Sequence, residues 1–238
     1  MSFDTLEDKI MHRVMRLVAH TLARGRLKAR YSGMHHVPAR GPGILVARHY
    51  HHLFDGVALH WGIPRRIHLV VTLDWATTPV MRYFMELLLR AARWPVVLRT
   101  DAPARHAAKK TLFTDSDYGR YQRRAVHDAV ALLAEQRLLV IFPEGYPNVD
   151  PHDTPKTGPD DMLPFKSGFA AIAAAAEKRL GMRIPLIPVG IRYSMGAKWI
   201  AQLSFGEPLS VADFASRETL VKTLEREVAA LSKIPGPG

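Results

Sequence analysis

The sequence of 238 residues contains no cysteine. Disulfide bridges, thiolate metal sites and a cysteine nucleophile are therefore excluded, and a reducing compartment is permitted. Long apolar runs are also absent, since none approaches the roughly 18 residues that a membrane-spanning helix requires. The clean runs are short, and the longest covers residues 169–176. We therefore expect a soluble chain that can be held at a membrane surface.

Acidic residues are few compared with basic ones. The chain carries 33 Lys and Arg against 22 Asp and Glu, which gives a net charge of +11. Such a field favours anionic partners, namely nucleic acid, anionic lipid or phosphate-bearing small molecules, and charge alone does not choose among them. The composition, 47% apolar and 23% charged, is typical of a globular protein. The length suits one α/β domain or at most two small ones.

The first 40 residues predict a basic amphipathic helix followed by a lead-in. This segment holds eight Lys and Arg against three Asp and Glu. Taken alone, the periodicity favours a helix that packs its apolar stripe on the domain. The alternative is a helix that lies on anionic lipid. The apolar stripe consists of Leu6, Ile10, Val14, Leu17, Val18 and Leu22.

Beyond residue 40, short apolar runs alternate with segments of helical periodicity. This alternation predicts a single α/β domain with a largely parallel central sheet flanked by helices. We assign residues 41–232 to this domain and residues 233–238 to a disordered tail. Between residues 146 and 163 a Pro- and Asp-rich stretch predicts a mobile loop. The predicted strands cover residues 44–47, 68–73, 95–99, 138–142, 185–193 and 199–206, and the predicted helices begin near residues 55, 79, 121, 167 and 216.

Three chemically dense stretches follow predicted strands. The stretch "RHYHHLFDG" follows "ILVA", Arg99 ends "PVVLR", and "PEG" follows "LLVIF". Sites in parallel α/β sheets form at the carboxyl ends of the strands. We therefore expect these three stretches to converge on one crevice.

The histidine-rich stretch is open to several chemical interpretations. A metallo-β-lactamase-like H-x-H-x-D-H site needs Asp and His where this chain has Leu53 and Phe54. A serine hydrolase is disfavoured because the G-x-S-x-G elbow is missing. A histidine oriented by Asp55 could instead deprotonate a substrate hydroxyl that attacks an activated acyl group. The structural alternative is a loop of histidines in which Asp55 caps the following helix.

Four ordered motifs resemble the PlsC-like lysophospholipid acyltransferase family. "RHYHHLFD" is similar to its N-H-x4-D block, and "WPVVLR" to the block that closes in a phosphate-binding Arg. "FPEG" is identical to the core of the third block, and "IPLIPVGI" is similar to the fourth. The resemblance extends over residues 44–209. Four blocks in the same order make it highly specific.

Two positions depart from the family pattern. The family places four residues between His and Asp, whereas His49 has five residues before Asp55 and His51 has three. His49 is the better match because it follows the strand directly, and His51 remains the second candidate. The other departure is "EGYP" in place of E-G-T-R, so that Pro147 occupies the position of an Arg.

The resemblance implies a role for each matching residue. It makes His49 or His51 the general base and Asp55 its orienting carboxylate. Arg99 is implied to bind an acceptor phosphate or another anionic group, and Lys166 to reach that phosphate or the oxyanion of the thioester intermediate. Glu144 and Gly145 are implied to shape the acceptor site.

The implied reaction moves a fatty acyl group from acyl-CoA or acyl-carrier protein to a hydroxyl of a lysophospholipid-like acceptor, first of all 1-acyl-glycerol-3-phosphate. It needs no metal and no bound cofactor. The implied partners are the lysolipid, the acyl donor and an anionic membrane surface, with no nucleic acid, and the implied location is cytoplasmic, on the inner face of a membrane. Two alternatives stay open: a non-enzymatic basic module that binds membrane or nucleic acid, and a metal-dependent hydrolase that uses the histidine cluster.

Overall fold

A six-stranded sheet forms the centre of the protein. The computed structural model describes residues 6–99, 112–151 and 154–233. The order of strands in the sheet is β1-β8-β7-β2-β6-β3, and a separate two-stranded sheet joins β4 to β5. The strands are β1 (Leu27–Ser32), β2 (Gly43–Ala47), β3 (Ile67–Leu69), β4 (Val71–Thr72), β5 (Val96–Val97), β6 (Leu138–Ile141), β7 (Leu186–Met195) and β8 (Trp199–Phe205).

The sheet is largely parallel, which confirms the predicted fold class. β2 pairs in parallel with both β6 and β7, and β1 pairs in parallel with β8. The hairpin of β7 and β8 is antiparallel. Every residue of β2 and β6 is buried. Such continuous apolar strands are expected where helices cover both faces of a parallel sheet.

Helices lie on both faces of the sheet. One apolar cluster joins α1 and α2 to one face, and a second joins α4, α5 and α6 to the other. A third, smaller cluster lies under α3 and contains Leu73, Leu89, Leu98 and Phe113. The helices are α1 (Leu6–Ala23), α2 (Phe54–Gly62), α3 (Pro79–Ala92), α4 (Asp115–Ala134), α5 (Gly168–Leu180) and α6 (Arg217–Leu231).

The N-terminal helix α1 does not pack its apolar stripe on the domain. The small residues Ala19 and Ala23 are buried instead, and His20 lies against Trp61, with ring centroids 5.9 Å apart. The six large apolar residues of the stripe are 43–74% exposed. The interpretation that periodicity favoured is therefore wrong, because the helix is anchored through its narrow alanine edge. In the described parts of the chain, no helix is both long and apolar enough to cross a membrane.

Several elements differ from the sequence-based prediction. β1 is not among the predicted strands because its polar residues alternate at the edge of the sheet, as the exposed Lys28 and Arg30 show. The predicted strand over residues 68–73 is divided between the two sheets. α4 begins six residues earlier than predicted, because the carboxylate of Asp117 accepts a hydrogen bond from the Thr114 N–H at 2.9 Å and caps the helix. The predicted tail beyond residue 233 lies outside the described residues.

Candidate active site

The three chemically dense stretches converge at one edge of the sheet. β2 and β6 are parallel neighbours, so the segments that follow Ala47 and Ile141 lie side by side. β5 belongs to the small sheet and not to the main one. Arg99 nevertheless reaches the same place, where its Nη1 donates to the carbonyl oxygen of Gly145 at 3.1 Å. The predicted crevice is therefore present, with one strand supplied by a second sheet.

His49 and Asp55 form a hydrogen-bonded pair. The Nδ1 atom of His49 lies 2.9 Å from Oδ2 of Asp55, and the carboxylate is fully buried whereas the imidazole is 16% exposed. The ring of His49 stacks on Phe142, with centroids 4.3 Å apart. A carboxylate at Nδ1 selects the tautomer in which Nε2 is the acceptor of the neutral ring. This geometry suits a general base.

The carboxylate of Asp55 is held by three further donors. Its Oδ2 accepts from the backbone N–H groups of Tyr50 at 2.7 Å and His51 at 3.0 Å. Its Oδ1 accepts from the Tyr193 hydroxyl at 2.8 Å, across the sheet from β7. Burial and the Asp55 charge raise the pKa of Tyr193 well above its usual value, so this hydroxyl remains a donor. All four donors satisfy a carboxylate that would otherwise be costly to bury.

His51 lies in a different environment. Its Nδ1 accepts from the backbone N–H groups of Leu53 and Phe54 at 3.2 and 3.4 Å, at the beginning of α2. Burial, with a contribution from the neighbouring His52, lowers the pKa of His51 to about 4. Its ring stacks on those of His52 and Phe54. Of the two histidines, His49 is the one whose ring contacts Asp55 and lines the cavity described below.

Glu144 is buried beneath the site and does not line its surface. It is 1% exposed, and its two carboxylate oxygens accept from the backbone N–H groups of His49 at 2.8 Å and Leu163 at 2.9 Å. The residue expected to shape the acceptor site therefore acts on the backbone that carries His49. It joins the end of β2 to the long loop that precedes α5.

Lys156 is the counter-ion of Glu144. Its Nζ lies 2.6 Å from Oε2 of Glu144, and both side chains are fully buried. The same ammonium donates to the carbonyl oxygen of His49 at 2.7 Å and to Oδ1 of Asn148 at 3.1 Å. Burial lowers the pKa of Lys156, and Glu144 opposes that shift. Glu144 and Lys156 together hold both the N–H and the C=O of His49.

Arg99 lies on the far side of the site and is partly neutralised. Its guanidinium contacts Oδ2 of Asp74 through Nε at 2.8 Å and Nη2 at 2.7 Å. It also lies over the ring of Tyr146, 4.1 Å from the centroid. Planar stacking and a carboxylate hold this guanidinium in one orientation. Arg99 is therefore a fixed cation, since its side chain is only 7% exposed.

Gly145 lies between the two cations of the site. Its φ of +77° is in the left-handed region, which residues with a Cβ atom rarely adopt. A Cβ here would lie 3.5 Å from Nζ of Lys166 and 3.8 Å from Cδ of Arg99. Lys166 is exposed and lines the same cavity. Both Cβ distances are ordinary van der Waals contacts, so the backbone conformation, and not lack of space, favours glycine at this position.

A large cavity connects these residues to the helices. Its volume is about 830 Å³, and His49, Arg99, Gly145 and Lys166 contribute to its wall. Most of the remaining wall is apolar, with contributions from α1, α2, α3, α4 and α5. An apolar cavity with a few convergent polar groups is the usual form of a small-molecule site. This one suits an amphipathic ligand with an anionic end.

The fold and the site define an α/β enzyme with a histidine–aspartate pair at the wall of an apolar cavity. The chain belongs to the acyltransferase family, whose model, described as Acyltransferase, matches residues 28–192. The solved structure of the 1-acyl-sn-glycerophosphate (LPA) acyltransferase PlsC from Thermotoga maritima is similar, with a TM-score of 0.58 and 17% sequence identity. The match covers 93% of this chain and 76% of that one. None of the curated proteins matches the sequence.

Three residues of the site could not be identified from the sequence. Lys156 lies in the loop that the sequence predicts to be mobile, Tyr193 lies in a strand, and Asp74 follows β4. Nothing in the stretch "GIRYSM" indicates that the Tyr193 hydroxyl donates to Asp55, 138 residues away in the chain. A lysine between prolines in "DTPKTGP" is equally uninformative, because its burial arises only when the loop folds over the site.

Proposed function

We propose that this enzyme transfers a fatty acyl group from a thioester donor to the hydroxyl of a lysophospholipid-like acceptor. The observation that carries the proposal is the contact of 2.9 Å between Nδ1 of His49 and Asp55 at the wall of the cavity. Acyl-CoA or acyl-carrier protein is the donor, and both are anionic, in keeping with the net charge of +11.

The proposed mechanism uses His49 as the general base. Its Nε2 accepts the proton of the acceptor hydroxyl while the hydroxyl oxygen bonds to the thioester carbonyl carbon. The tetrahedral intermediate then loses the thiolate as the carbon–sulfur bond breaks, and the imidazolium returns its proton to the leaving sulfur. Asp55 holds the tautomer and balances the transient positive charge. Tyr193 and the pair of Glu144 and Lys156 hold the two catalytic side chains in place.

The acceptor group would be bound by Arg99 and Lys166. Asp74 already balances part of the charge of Arg99, and Pro147 contributes no donor where the family pattern has an Arg. We infer a pocket that accepts 1-acyl-glycerol-3-phosphate first but that discriminates weakly against lysolipids with other headgroups. Basic residues between positions 105 and 110 are candidates to replace the missing Arg, and they lie outside the described residues.

The proposed location is an anionic membrane surface on the cytoplasmic side. The exposed apolar stripe of α1 supports this, together with the exposed basic residues Lys9, Arg13 and Arg16 on the same helix and Arg24 directly after it. An amphipathic helix of this kind lies in the interface with its apolar side among the acyl chains. Co-sedimentation of the full chain with anionic vesicles should weaken at high salt, because exposed charges are screened within about 8 Å at physiological ionic strength.

The test of the mechanism compares His49→Ala with His51→Ala. The purified enzyme is incubated with labelled acyl-CoA and a panel of lysolipids, and the products are identified by mass spectrometry. His49→Ala and Asp55→Asn should lower kcat by roughly 10²–10⁴, the usual contribution of general-base catalysis. His51→Ala should retain most of the activity. If His51→Ala is inactive and His49→Ala is active, the assignment of the base is wrong.

The two alternative functions have less support. Membership of the acyltransferase family explains the motifs that a non-enzymatic basic module leaves without a role. For a metal-dependent hydrolase, the ring of His49 is committed to Asp55 and that of His51 to two backbone amides. Within residues 6–99, 112–151 and 154–233, no three His, Asp or Glu side chains are grouped as metal ligands.

A further inference from the structure

Helix α3 has a broad apolar surface that faces away from the protein. Exposed fractions range from 53% to 66% over five large side chains. Because residues three, four and seven apart share one side of a helix, these five form one continuous surface. We call it the outer face of α3, and it consists of Val80, Tyr83, Phe84, Leu87 and Leu88.

The polarity of α3 is opposite to that of an ordinary surface helix. Its ion pair, Arg82 Nε to Glu86 Oε1 at 2.8 Å, is directed towards the protein and is 24% and 29% exposed. Arg82 donates to the carbonyl oxygen of Leu112 at 3.2 Å and to the hydroxyl of Tyr121 at 3.3 Å. A helix in water normally places its charges outside and its apolar side chains inside. This arrangement indicates that the outer face of α3 meets an apolar environment.

The position of α3 identifies that environment. Both α1 and α3 contribute to the wall of the 830 Å³ cavity, α1 through Met15 and Leu22 and α3 through Met85 and Leu89. The two helices that carry the exposed apolar surfaces therefore border the same cavity. An exposed surface of apolar side chains of this extent marks an interaction site.

The charges beside these surfaces favour a lipid leaflet over a second copy of the chain. Among the charged side chains that the structure describes on these helices, Lys9, Arg13, Arg16 and Arg90 are exposed, whereas the carboxylate of Glu86 is paired. Association of two copies through these helices would bring like charges together, whereas anionic phospholipid headgroups complement them.

We propose that the outer face of α3 inserts into an anionic phospholipid leaflet beside α1, so that the cavity opens between two lipid-embedded helices. The proposal rests on the proposed function only in that lipid substrates would then enter from the leaflet. Insertion itself does not depend on catalysis and can be measured separately.

The first experiment measures binding to vesicles of phosphatidylglycerol and phosphatidylcholine by flotation. Phe84→Gln/Leu88→Gln keeps good helix formers at two exposed positions that do not line the cavity. The partition coefficient should fall by roughly tenfold for each side chain, since burying a large apolar side chain contributes about that factor. The control, Met182→Gln/Met195→Gln, removes two exposed apolar side chains outside α1 and α3 and should bind as the wild type does. Equal binding by all three proteins would overturn the proposal.

The second experiment locates the inserted surface. Because the chain has no cysteine, Leu87→Cys and Met195→Cys can each carry one environment-sensitive fluorophore. Brominated phospholipid should quench the label at position 87 and leave the label at position 195 unquenched. An unquenched label at position 87 on vesicle-bound protein refutes insertion, and burial of that label in a lipid-free dimer, detected by light scattering, assigns the surface to a second copy.

The two proposals fail separately. Acyl transfer to a water-soluble short-chain lysolipid, measured without vesicles, tests the proposed function. Quenching at position 87 tests insertion. If transfer is observed and the label stays in water, only the membrane role of α3 is lost. If the label is quenched and no acceptor is acylated, only the proposed function is lost.

Discussion

The buried pair of Lys156 and Glu144 provides a sharp test of how the site is held together. Replacement of Lys156 by methionine keeps the length of the side chain but removes the charge and its hydrogen bonds to Glu144, His49 and Asn148. The Glu144 carboxylate is then left fully buried without its counter-ion. Breaking such a pair from one side costs about 3–5 kcal/mol. That is a large fraction of the roughly 5–15 kcal/mol by which most domains are stable.

The matched control is the same substitution in an exposed pair. Lys222 lies 2.7 Å from Glu218 on α6, and these side chains are 74% and 76% exposed. Exposed pairs of this kind contribute little, because water and salt screen the attraction and two long side chains must be ordered to form the contact. Lys222→Met should therefore leave the free energy of unfolding nearly unchanged, whereas Lys156→Met should lower it markedly.

The assay is urea unfolding, followed by the fluorescence of the four tryptophans and extrapolated linearly to water. A double variant, Lys156→Met/Glu144→Gln, also removes the buried negative charge of Glu144 and should recover part of the lost stability. Its activity should stay low, because the carbonyl oxygen of His49, the proposed general base, has lost its donor and the residue is displaced. If Lys156→Met is no less stable than Lys222→Met, the buried pair does not hold the site together.

Three further predictions follow from the site and its surroundings. Burial, with Arg66 nearby, lowers the pKa of His68 to about 3; the unfolded chain therefore binds a proton below about pH 6.5 that the folded chain does not bind. Between about pH 6.5 and 3, His68 alone should lower the stability by up to about 1.4 kcal/mol per pH unit, in addition to the effect of His51, whose pKa is about 4. His68→Gln should remove the His68 contribution from the slope measured in urea titrations. Tyr193→Phe should leave Oδ1 of Asp55 without its donor and cost about 1–3 kcal/mol of stability, together with a lower kcat at unchanged KM; an unchanged kcat would show that this hydroxyl is not needed to hold Asp55. The ratio of kcat/KM for 1-acyl-glycerol-3-phosphate to that for a neutral monoacylglycerol should stay below about a thousand, or about 4 kcal/mol, and a larger ratio would mean that another cation replaces the Arg missing at Pro147.

Local chemistry was sufficient to predict the fold class and the convergence of the polar stretches at one edge of the sheet. Apolar runs such as "LLVIF" can be satisfied only as buried strands between helices, so the alternation of runs and helical segments predicts a parallel α/β sheet. Polar residues directly after such strands must gather at one edge, which is where His49, Asp55 and Gly145 are found. These features depend on neighbours in the chain, and a single sequence contains that information.

The partners of these residues depended on contacts between distant parts of the chain. Tyr193 and Asp55 are 138 residues apart, and Lys156 reaches His49 over 107. No sequence motif distinguishes Tyr193 or Lys156. They become functional candidates only because the fold buries them beside the carboxylates of Asp55 and Glu144.

The apolar stripe of α1 shows the same division. The apolar residues recur every three or four positions, and this spacing determines that a helix forms with one apolar side. The same spacing is compatible with a side that packs on the domain and with one that faces outward. Only the tertiary structure decided the direction, because the anchoring contacts of Ala19 and Ala23 rotate the larger residues away from the sheet. Similarly, the sequence predicts only that a helix begins near residue 79, and the inward ion pair of Arg82 and Glu86 decides that the apolar side of α3 is the outer one.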